Sequence, residues 1–507
     1  MKRMKKFASL MLAFVLAFVL AVPAFAATTN ITISNGADGA EYEAYRLLNA
    51  TEGNNDNFAY TVNEKYRTAL QTVTEKTTDS EMISYISGLD ETALRTFADS
   101  IYASVKTLGA DVTTANNKFE NVEQGYYLIA ETKTGNEQDS YSLVMLNTAG
   151  KTDLNVTTKE DVPELDKKVQ EKNDSTGAVS DWQDGADYDV NDQVPFKLTG
   201  TLPDNYDSYN AYKYVFHDEQ SDGLTFEPNT VKVYVVNGEI KTEVSDSLYE
   251  VVTSGLSDDC TFEVRFEDLK KVTTDKNSKI VVEYTSILNG NSVIGSTGNP
   301  NQAKLEFSNN PYGDGTGKTP FDKVIVFTYK LVANKVDKDG QPLEGAGFTL
   351  YKFDSVTKDY VAVGDEIKTD ADGKSLTTFT FNRLDAGQYK LVETTVPAGY
   401  NKAEDLIFTV EATYDTDSAE PVFKDLVVTD ADGDVISGTN AQEGQTFTFT
   451  VSTADGSAST NIVNHTGTEL PSTGGIGTTI FYLTGTILVL GAVVLLITKK
   501  RMENAEK

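Results

Sequence analysis

Apolar and polar residues alternate through most of the chain, in short runs separated by turn dipeptides. Val231-Lys232-Val233-Tyr234-Val235-Val236, Ile280-Val281-Val282-Glu283-Tyr284 and Thr446-Phe447-Thr448-Phe449-Thr450-Val451 are rich in β-branched and aromatic residues, and Asn237-Gly238, Asn289-Gly290 and Asp432-Gly433 punctuate such runs. Period-two alternation closed by tight turns predicts strands and hairpins, and many short strands in succession predict β-sandwiches. One stretch breaks the rhythm. Between Glu64 and Lys106, the residues Leu70, Ile83, Ile86, Leu89, Leu94, Phe97, Ile101 and Val105 fall mostly at helical spacing, which predicts a helical insertion. The expected fold class is all-β: tandem Ig-like sandwiches in an elongated rod, with a helical insertion in the N-terminal one.

Both ends of the chain are apolar for a different reason. Lys2, Arg3, Lys5 and Lys6 precede an apolar run from Phe7 to Val22 and the small-residue site Ala24-Phe25-Ala26, the pattern of a secretory signal peptide over residues 1–26. At the other end Leu470-Pro471-Ser472-Thr473-Gly474 precedes an apolar run from Ile480 to Ile497 and then Lys499-Lys500-Arg501. That run has the length of a transmembrane span, and the basic cluster behind it predicts a cytoplasmic tail. Everything before Leu470 is then expected outside the cell. Secretion permits disulfides, yet Cys260 is the single cysteine, so another device must hold the chain together.

An internal repeat links the first domain to the last. Gly39-Ala40-Glu41-Tyr42-Glu43-Ala44-Tyr45-Arg46 matches Gly345-Ala346-Gly347-Phe348-Thr349-Leu350-Tyr351-Lys352, and Phe119 to Glu131 matches Phe381 to Glu393 at the same spacing. The segment from about Pro163 to Thr328 lacks both. Polar links around Thr157 to Pro163 and Gly317 to Asp322 then divide the chain into domains at 27–158, 159–328 and 329–467, with a terminal segment at 470–507. Their shortness predicts a stiff assembly.

Charge and chemistry narrow the function. With 76 acidic against 44 basic residues, the chain would repel nucleic acid. The only histidines, His217 and His465, are far apart, and no HExxH, CxxC, GxSxG or phosphate-binding glycine loop is present. Asp337-Lys338-Asp339-Gly340, Asp370-Ala371-Asp372-Gly373 and Asp430-Ala431-Asp432-Gly433-Asp434 lack the bidentate glutamate of a calcium loop and read as turns. Neither an enzyme, a metal site nor a cofactor is expected.

The motifs carry a resemblance. The pentapeptide with its apolar run and basic stop resembles the cell-wall sorting signal of Gram-positive surface proteins, which a sortase cleaves after the threonine, here Thr473. Lys335-Val336-Asp337, Leu343 to Phe348 and the stretch Tyr389 to Tyr400 resemble the CnaB-type (Cna-type) domain of Gram-positive pilins and adhesins, the last stretch being that family's E-box. The resemblance implies a spontaneous isopeptide bond from Lys335 to Asn464, assisted by Glu393. Burial favours this chemistry by pushing lysine toward the neutral amine and a carboxyl toward its protonated form.

The middle domain resembles the fimbrial D2 (CnaA-like) isopeptide module, through Asp166-Lys167-Lys168-Val169, Tyr214 to Asp218, Gly223 to Phe226, Gly295 to Asn301 and Leu305 to Pro311. Alternation puts Leu165, Lys167 and Val169 on one face and Leu305, Phe307 and Asn309 on another. The expected bond joins Lys167 to Asn309 with Asp218 assisting, and Lys168 and Asn310 remain alternatives one register slip away. The first domain has an E-box counterpart ending at Glu131 but no lysine between Ala27 and Glu64, so no such bond is expected there.

Taken over the chain, the order of parts resembles the backbone (major) pilins of sortase-assembled pili. That resemblance implies a secreted structural subunit, polymerised from the Thr473 carbonyl to a lysine of the next copy and finally anchored to peptidoglycan. Lys159, in Val156-Thr157-Thr158-Lys159-Glu160, occupies the pilin-motif position, although only its valine and lysine match; Lys151, Lys168 and Lys172 are nearby substitutes. The implied partners are sortase, identical subunits, peptidoglycan, minor pilins and host surface ligands, and no nucleic acid. The alternative is a monomeric wall-anchored adhesin or a minor pilin at the tip or base.

Overall fold

The computed structural model describes residues 27–53, 57–158, 162–256, 258–438 and 447–467. The signal peptide, Lys159, and the segment from Leu470 through Gly474 to the C-terminus lie outside them. The expected transmembrane character is corrected here. Among the described residues no helix is long and apolar enough to cross a membrane, and the apolar run on which that reading rested is not among them.

The chain is elongated and mostly β-stranded, with paired sheets in tandem. In the first sandwich a 3-stranded sheet, Lys118–Glu123, Thr28–Ile33 and Asp153–Val156, faces a 5-stranded sheet centred on Glu41–Glu52 and Gly125–Lys133. The middle sandwich pairs two 7-stranded sheets, and the last pairs a 4-stranded with a 5-stranded sheet. Strict alternation explains the cores. Along Asn299–Ser308 every second residue is buried, as it is along Tyr329–Asp337, because successive side chains point to opposite faces.

The helical insertion spans Glu64 to Leu108 and comprises Arg67–Thr74, Asp79–Ser87 and Glu91–Val105. Local signals start each of the last two. Thr78 and Glu81 form a reciprocal capping box, and the Asp90 carboxylate accepts from the Ala93 amide. Phe97, Ile101 and Val105 then bury against Leu70, Ile83 and the sheet residues Tyr45 and Leu48.

Side chains also bridge the sandwiches. Asp99 of the last helix accepts from Tyr312 Oη and, at 2.8 Å, from Ser208 Oγ, while the Tyr102 and Tyr312 rings meet edge-on at 4.8 Å. At the other junction Lys352 Nζ, almost wholly buried, reaches Asp174 at 3.1 Å and Asp189 at 2.6 Å in the middle sandwich and Asp385 at 2.5 Å in its own. Those carboxylates hold its pKa above the ordinary lysine value despite burial. Gly295 is required at the same joint: a Cβ there would lie 2.6 Å from the Ala454 carbonyl oxygen, and its φ is +92°.

Candidate functional site: buried lysine, acid and asparagine clusters

Among the described residues two lysines are fully buried, one in each of the last two sandwiches, and an acid and an asparagine lie within reach of each. Burying a lone ammonium is costly unless it is paired or loses its charge, so two such lysines demand an explanation.

In the last sandwich Lys335 sits on Tyr329–Asp337, which pairs in parallel with Ser457–Asn464, Lys335 opposite Ile462 and Asp337 opposite Asn464. Parallel pairing of these terminal strands brings Lys335 and Asn464 to one end of the core. Glu393 approaches from the facing sheet on Gly387–Thr395. Its Oε1 and Oε2 accept from Asn464 Nδ2 at 2.8 and 3.1 Å, and Oε2 also accepts from the Ala403 amide at 2.7 Å. Lys335 Nζ lies 3.8 Å from Glu393 Oε1 and donates to the Ile462 carbonyl at 2.8 Å. Burial pushes this amine down to about 8, against the opposing pull of Glu393. Asn464 Oδ1 is buried and accepts no hydrogen bond. All three residues expected from the sequence are therefore brought together.

The middle sandwich is different. Lys167, on Leu165–Lys172, donates to Asp218 Oδ2 at 2.5 Å and to Tyr284 Oη at 2.9 Å. Tyr284 Oη donates in turn to Asp218 Oδ2 at 2.7 Å. Burial among Phe196, Tyr284 and their neighbours lowers the Lys167 pKa, although Asp218 opposes the shift. The asparagine that completes this cluster is Asn301, whose Nδ2 donates to Tyr284 Oη at 2.9 Å and whose Oδ1 is buried without a partner. The Lys167 and Asn301 nitrogens thus converge on one phenolic oxygen.

Asn309, expected in that role, lies elsewhere, and this corrects the sequence expectation. It is on the same inward-facing register as Asn301 but beyond the end of the strand Asn299–Ser308. There its Nδ2 donates to the Asp139 carbonyl at 3.1 Å, at the junction with the first sandwich. The alternatives fare no better. Lys168 is half-exposed and pairs with Asp184, and the Asn310 side chain accepts from the Tyr312 amide.

Cross-strand register accounts for the choice. Asp218 is opposite Ala303 and Gln220 opposite Asn301 on Asn299–Ser308, so Asp218 and Asn301 are diagonal neighbours on one face. Lys167 comes from the other sheet and is tied to the same level by its amide, which donates to Asp322 at 2.6 Å, Asp322 itself pairing with Ala303. Tyr284 was not singled out from the sequence; its position in an alternating run marks it only as a core residue.

The first sandwich keeps the frame without the lysine. Ile31 pairs with Phe119 and Leu154, just as Leu331 pairs with Phe381 and Ala458. Carrying that register forward puts Asn35 at the place of Lys335 and Thr158 at the place of Ile462. Asn35 clamps Thr158 by hydrogen bonds alone, accepting from its amide and donating to its carbonyl, each at 2.8 Å. Glu131, the counterpart of Glu393, is buried, accepts from Ser142 Oγ at 3.2 Å, and is pushed up to about 7 by burial.

A family match agrees with the architecture of the last sandwich. A family model of the prealbumin-like fold domain matches residues 329–425, and one of the LPXTG cell wall anchor motif matches residues 462–504. Over 401 residues the chain is 27% identical to the trypsin-resistant surface T6 protein of Streptococcus pyogenes serotype M6, covering 68% of this chain and 70% of that protein. Among solved structures it resembles the T6 backbone pilin of serotype M6 Streptococcus pyogenes, at 18% identity over 87% of this chain and 98% of that one, with a TM-score of 0.49. It also resembles the full-length major pilin SpaD from Corynebacterium diphtheriae, at 15% identity over 88% and 99% of the two chains, with a TM-score of 0.46. A secreted, cell-wall-anchored location accords with the anchor motif. The chain thus carries a prealbumin-like domain and an LPXTG cell wall anchor motif, and over most of its length it is similar to a Gram-positive surface protein.

Proposed function

We propose that the chain is the backbone subunit of a sortase-assembled pilus, that it bears its load through two self-formed isopeptide bonds, Lys167 to Asn301 and Lys335 to Asn464, and that Thr473 and Lys159 make the bond between subunits. On this reading the domains run 27–158, 159–328 and 329–467, and the first one holds by hydrogen bonds alone. The observation that carries the internal chemistry is the pair of buried clusters, each joining an amine, a carboxyl group and an asparagine amide.

The step balances without a cofactor. The neutral lysine nitrogen attacks the asparagine Cγ, the Cγ–Nδ2 bond breaks, and ammonia leaves. Asp218 or Glu393 takes the proton from the amine and returns it to the departing nitrogen. Tyr284 holds both nitrogens of the middle cluster on one oxygen, so the incoming and outgoing groups share an anchor. This happens once per molecule, as folding closes the core.

The two bonds act differently under load. Lys335 and Asn464 lie on adjacent strands of one sheet, so their bond clamps the strands that enter and leave the sandwich. Lys167 and Asn301 lie on different sheets, so theirs is a staple across the core, which leaves the final strand Asp322–Phe327 outside it.

Between subunits, sortase cleaves after Thr473 and the Lys159 amine of the next copy takes the acyl group; minor pilins and host ligands would attach to the finished shaft. Immunoblots of wall extracts test this. An SDS-resistant ladder should collapse in Lys159→Ala and persist in Lys151→Ala. A ladder unchanged by Lys159→Ala would reject that residue.

A further inference from the structure

His217 follows Phe216 and precedes Asp218, so strand alternation turns its ring away from Lys167, onto the outer face of the sheet. There it stands opposite Glu263 on one neighbouring strand and Lys304 on the other. The ring is 2% exposed, and Glu263 is equally buried. The turn carrying Asp258 and Cys260 folds over them.

The imidazole faces anionic or soft donors on both sides. Nδ1 lies 3.1 Å from Asp258 Oδ2, 3.3 Å from Glu263 Oε1 and 3.9 Å from Cys260 Sγ, and that sulfur is 3.9 Å from the same Glu263 oxygen. All four ligand atoms fall within 4.8 Å of one another. Zn–N and Zn–O bonds of about 2.0–2.1 Å and a Zn–S bond of about 2.3 Å give a tetrahedron with edges of roughly 3.3–3.6 Å. The separations of Nδ1 from Asp258 and Glu263 already match such edges, and the two to the Cys260 sulfur are a few tenths of an ångström longer.

The surroundings fit a metal as well. On the far side of the ring Nε2 faces Glu306 Oε2 at 3.3 Å, and the other oxygen of Glu306 is held by Lys213. A carboxylate on the outer nitrogen is the usual device for fixing a metal-binding histidine, since it sets the tautomer that leaves the inner nitrogen free. Arg265 holds the second oxygen of Glu263, and Lys304 Nζ reaches Asp258 Oδ2 at 2.8 Å. None of these residues takes part in the lysine–asparagine chemistry.

We propose that His217 Nδ1, Cys260 Sγ, Glu263 and Asp258 form a structural site for one Zn²⁺ or a similar borderline divalent cation. Four protein donors make a closed site, with no position left for substrate. The thiol proton is displaced to solvent as the metal–sulfur bond forms, and no electron is transferred. The site pins the turn at Cys260 to the strand that carries Asp218, and gives the single cysteine a role that needs no partner cysteine.

The test is Co²⁺ and Zn²⁺ titration of the purified, chelator-treated mature chain. The wild type should take up one equivalent of Co²⁺ with the visible bands of a tetrahedral site and a near-ultraviolet thiolate charge-transfer band, and in Zn²⁺ its native mass should exceed that of the metal-free chain by one zinc. Cys260→Ser should lose the charge-transfer band, and Glu306→Gln should weaken Zn²⁺ binding by about 10–100-fold. The wild-type spectrum needs no variant to fold, so absence of stoichiometric uptake, or uptake with an octahedral spectrum and no thiolate band, overturns the proposal. Unchanged affinity in both Cys260→Ser and His217→Gln overturns it too.

Discussion

Removing one asparagine should change how far the subunit stretches under force. A bond from Lys167 to Asn301 shields the intervening chain from tension, about 130 residues, and at roughly 3.5 Å per extended residue that hides about 450 Å of contour. The Lys335 to Asn464 bond hides a similar length. The first sandwich, from Thr28 to Val156, has only hydrogen bonds across it and should release about 440 Å on the same scale. The middle sandwich adds a short extension, since about 26 residues from Gln302 to Phe327 lie outside its staple and give roughly 90 Å. Pulling single molecules of the described region by their ends should therefore show one long step and one short step in the wild type. Asn301→Ala should add a second long step, Asn464→Ala should add one of nearly the same size, and Asn309→Ala should add none. Two or more long steps in the wild type, or a new one in Asn309→Ala but not in Asn301→Ala, would refute the assignment of the staple.

Tyr284→Phe keeps the ring packing but removes the oxygen on which both nitrogens rest, so bond formation after refolding should slow, as followed by the time course of ammonia loss in whole-protein mass, while Asp218→Ala should stop it. In Asn464→Ala, which cannot form its bond, Lys335 stays a buried amine with a pKa of about 8 against a higher value when unfolded. The unfolded lysine then binds the extra proton, so the urea midpoint of this variant should rise between about pH 8 and pH 10, and a Lys335→Met, Asn464→Ala double variant should lack that rise. Glu131 has the opposite sign: its folded pKa of about 7 is raised, so its burial is tolerated below the unfolded value and destabilises as pH rises toward 7. Glu131→Gln should match the wild type near pH 4 in thermal unfolding of the first sandwich and exceed it at pH 8.

Much of this was readable from pattern alone. Period-two runs gave the sandwiches, the helical spacing from Leu70 to Val105 gave the insertion, and alternation favoured Lys167 while leaving Lys168 one register slip away. The cluster of Lys335, Glu393 and Asn464 was expected through the resemblance to the CnaB-type domain, whose motifs mark those three positions. The middle cluster was readable in part. Alternation assigns a residue to a face but not to a height along the strand, and Asn301 and Asn309 share a face. Only the pairing of Asp218 with Ala303 and of Gln220 with Asn301 fixes the height, and that register depends on turns far away in the chain. Tyr284 was invisible for a related reason, because a core tyrosine in an alternating strand looks the same whether its hydroxyl serves packing or chemistry. The outer-face cluster at His217 was hidden because its donors come from two strands and the turn before the second, with no metal-motif spacing between His217 and the rest.

The central claim is that two lysines and two asparagines of this chain react with one another inside the folded subunit. Whole-protein mass of the purified mature chain, followed by fragmentation of its proteolytic peptides, tests that most directly. The account predicts a mass below the sequence value by two ammonia, with branched peptides joining Lys167 to Asn301 and Lys335 to Asn464. A mass equal to the sequence value, or a branched peptide joining Lys167 to Asn309, would contradict it.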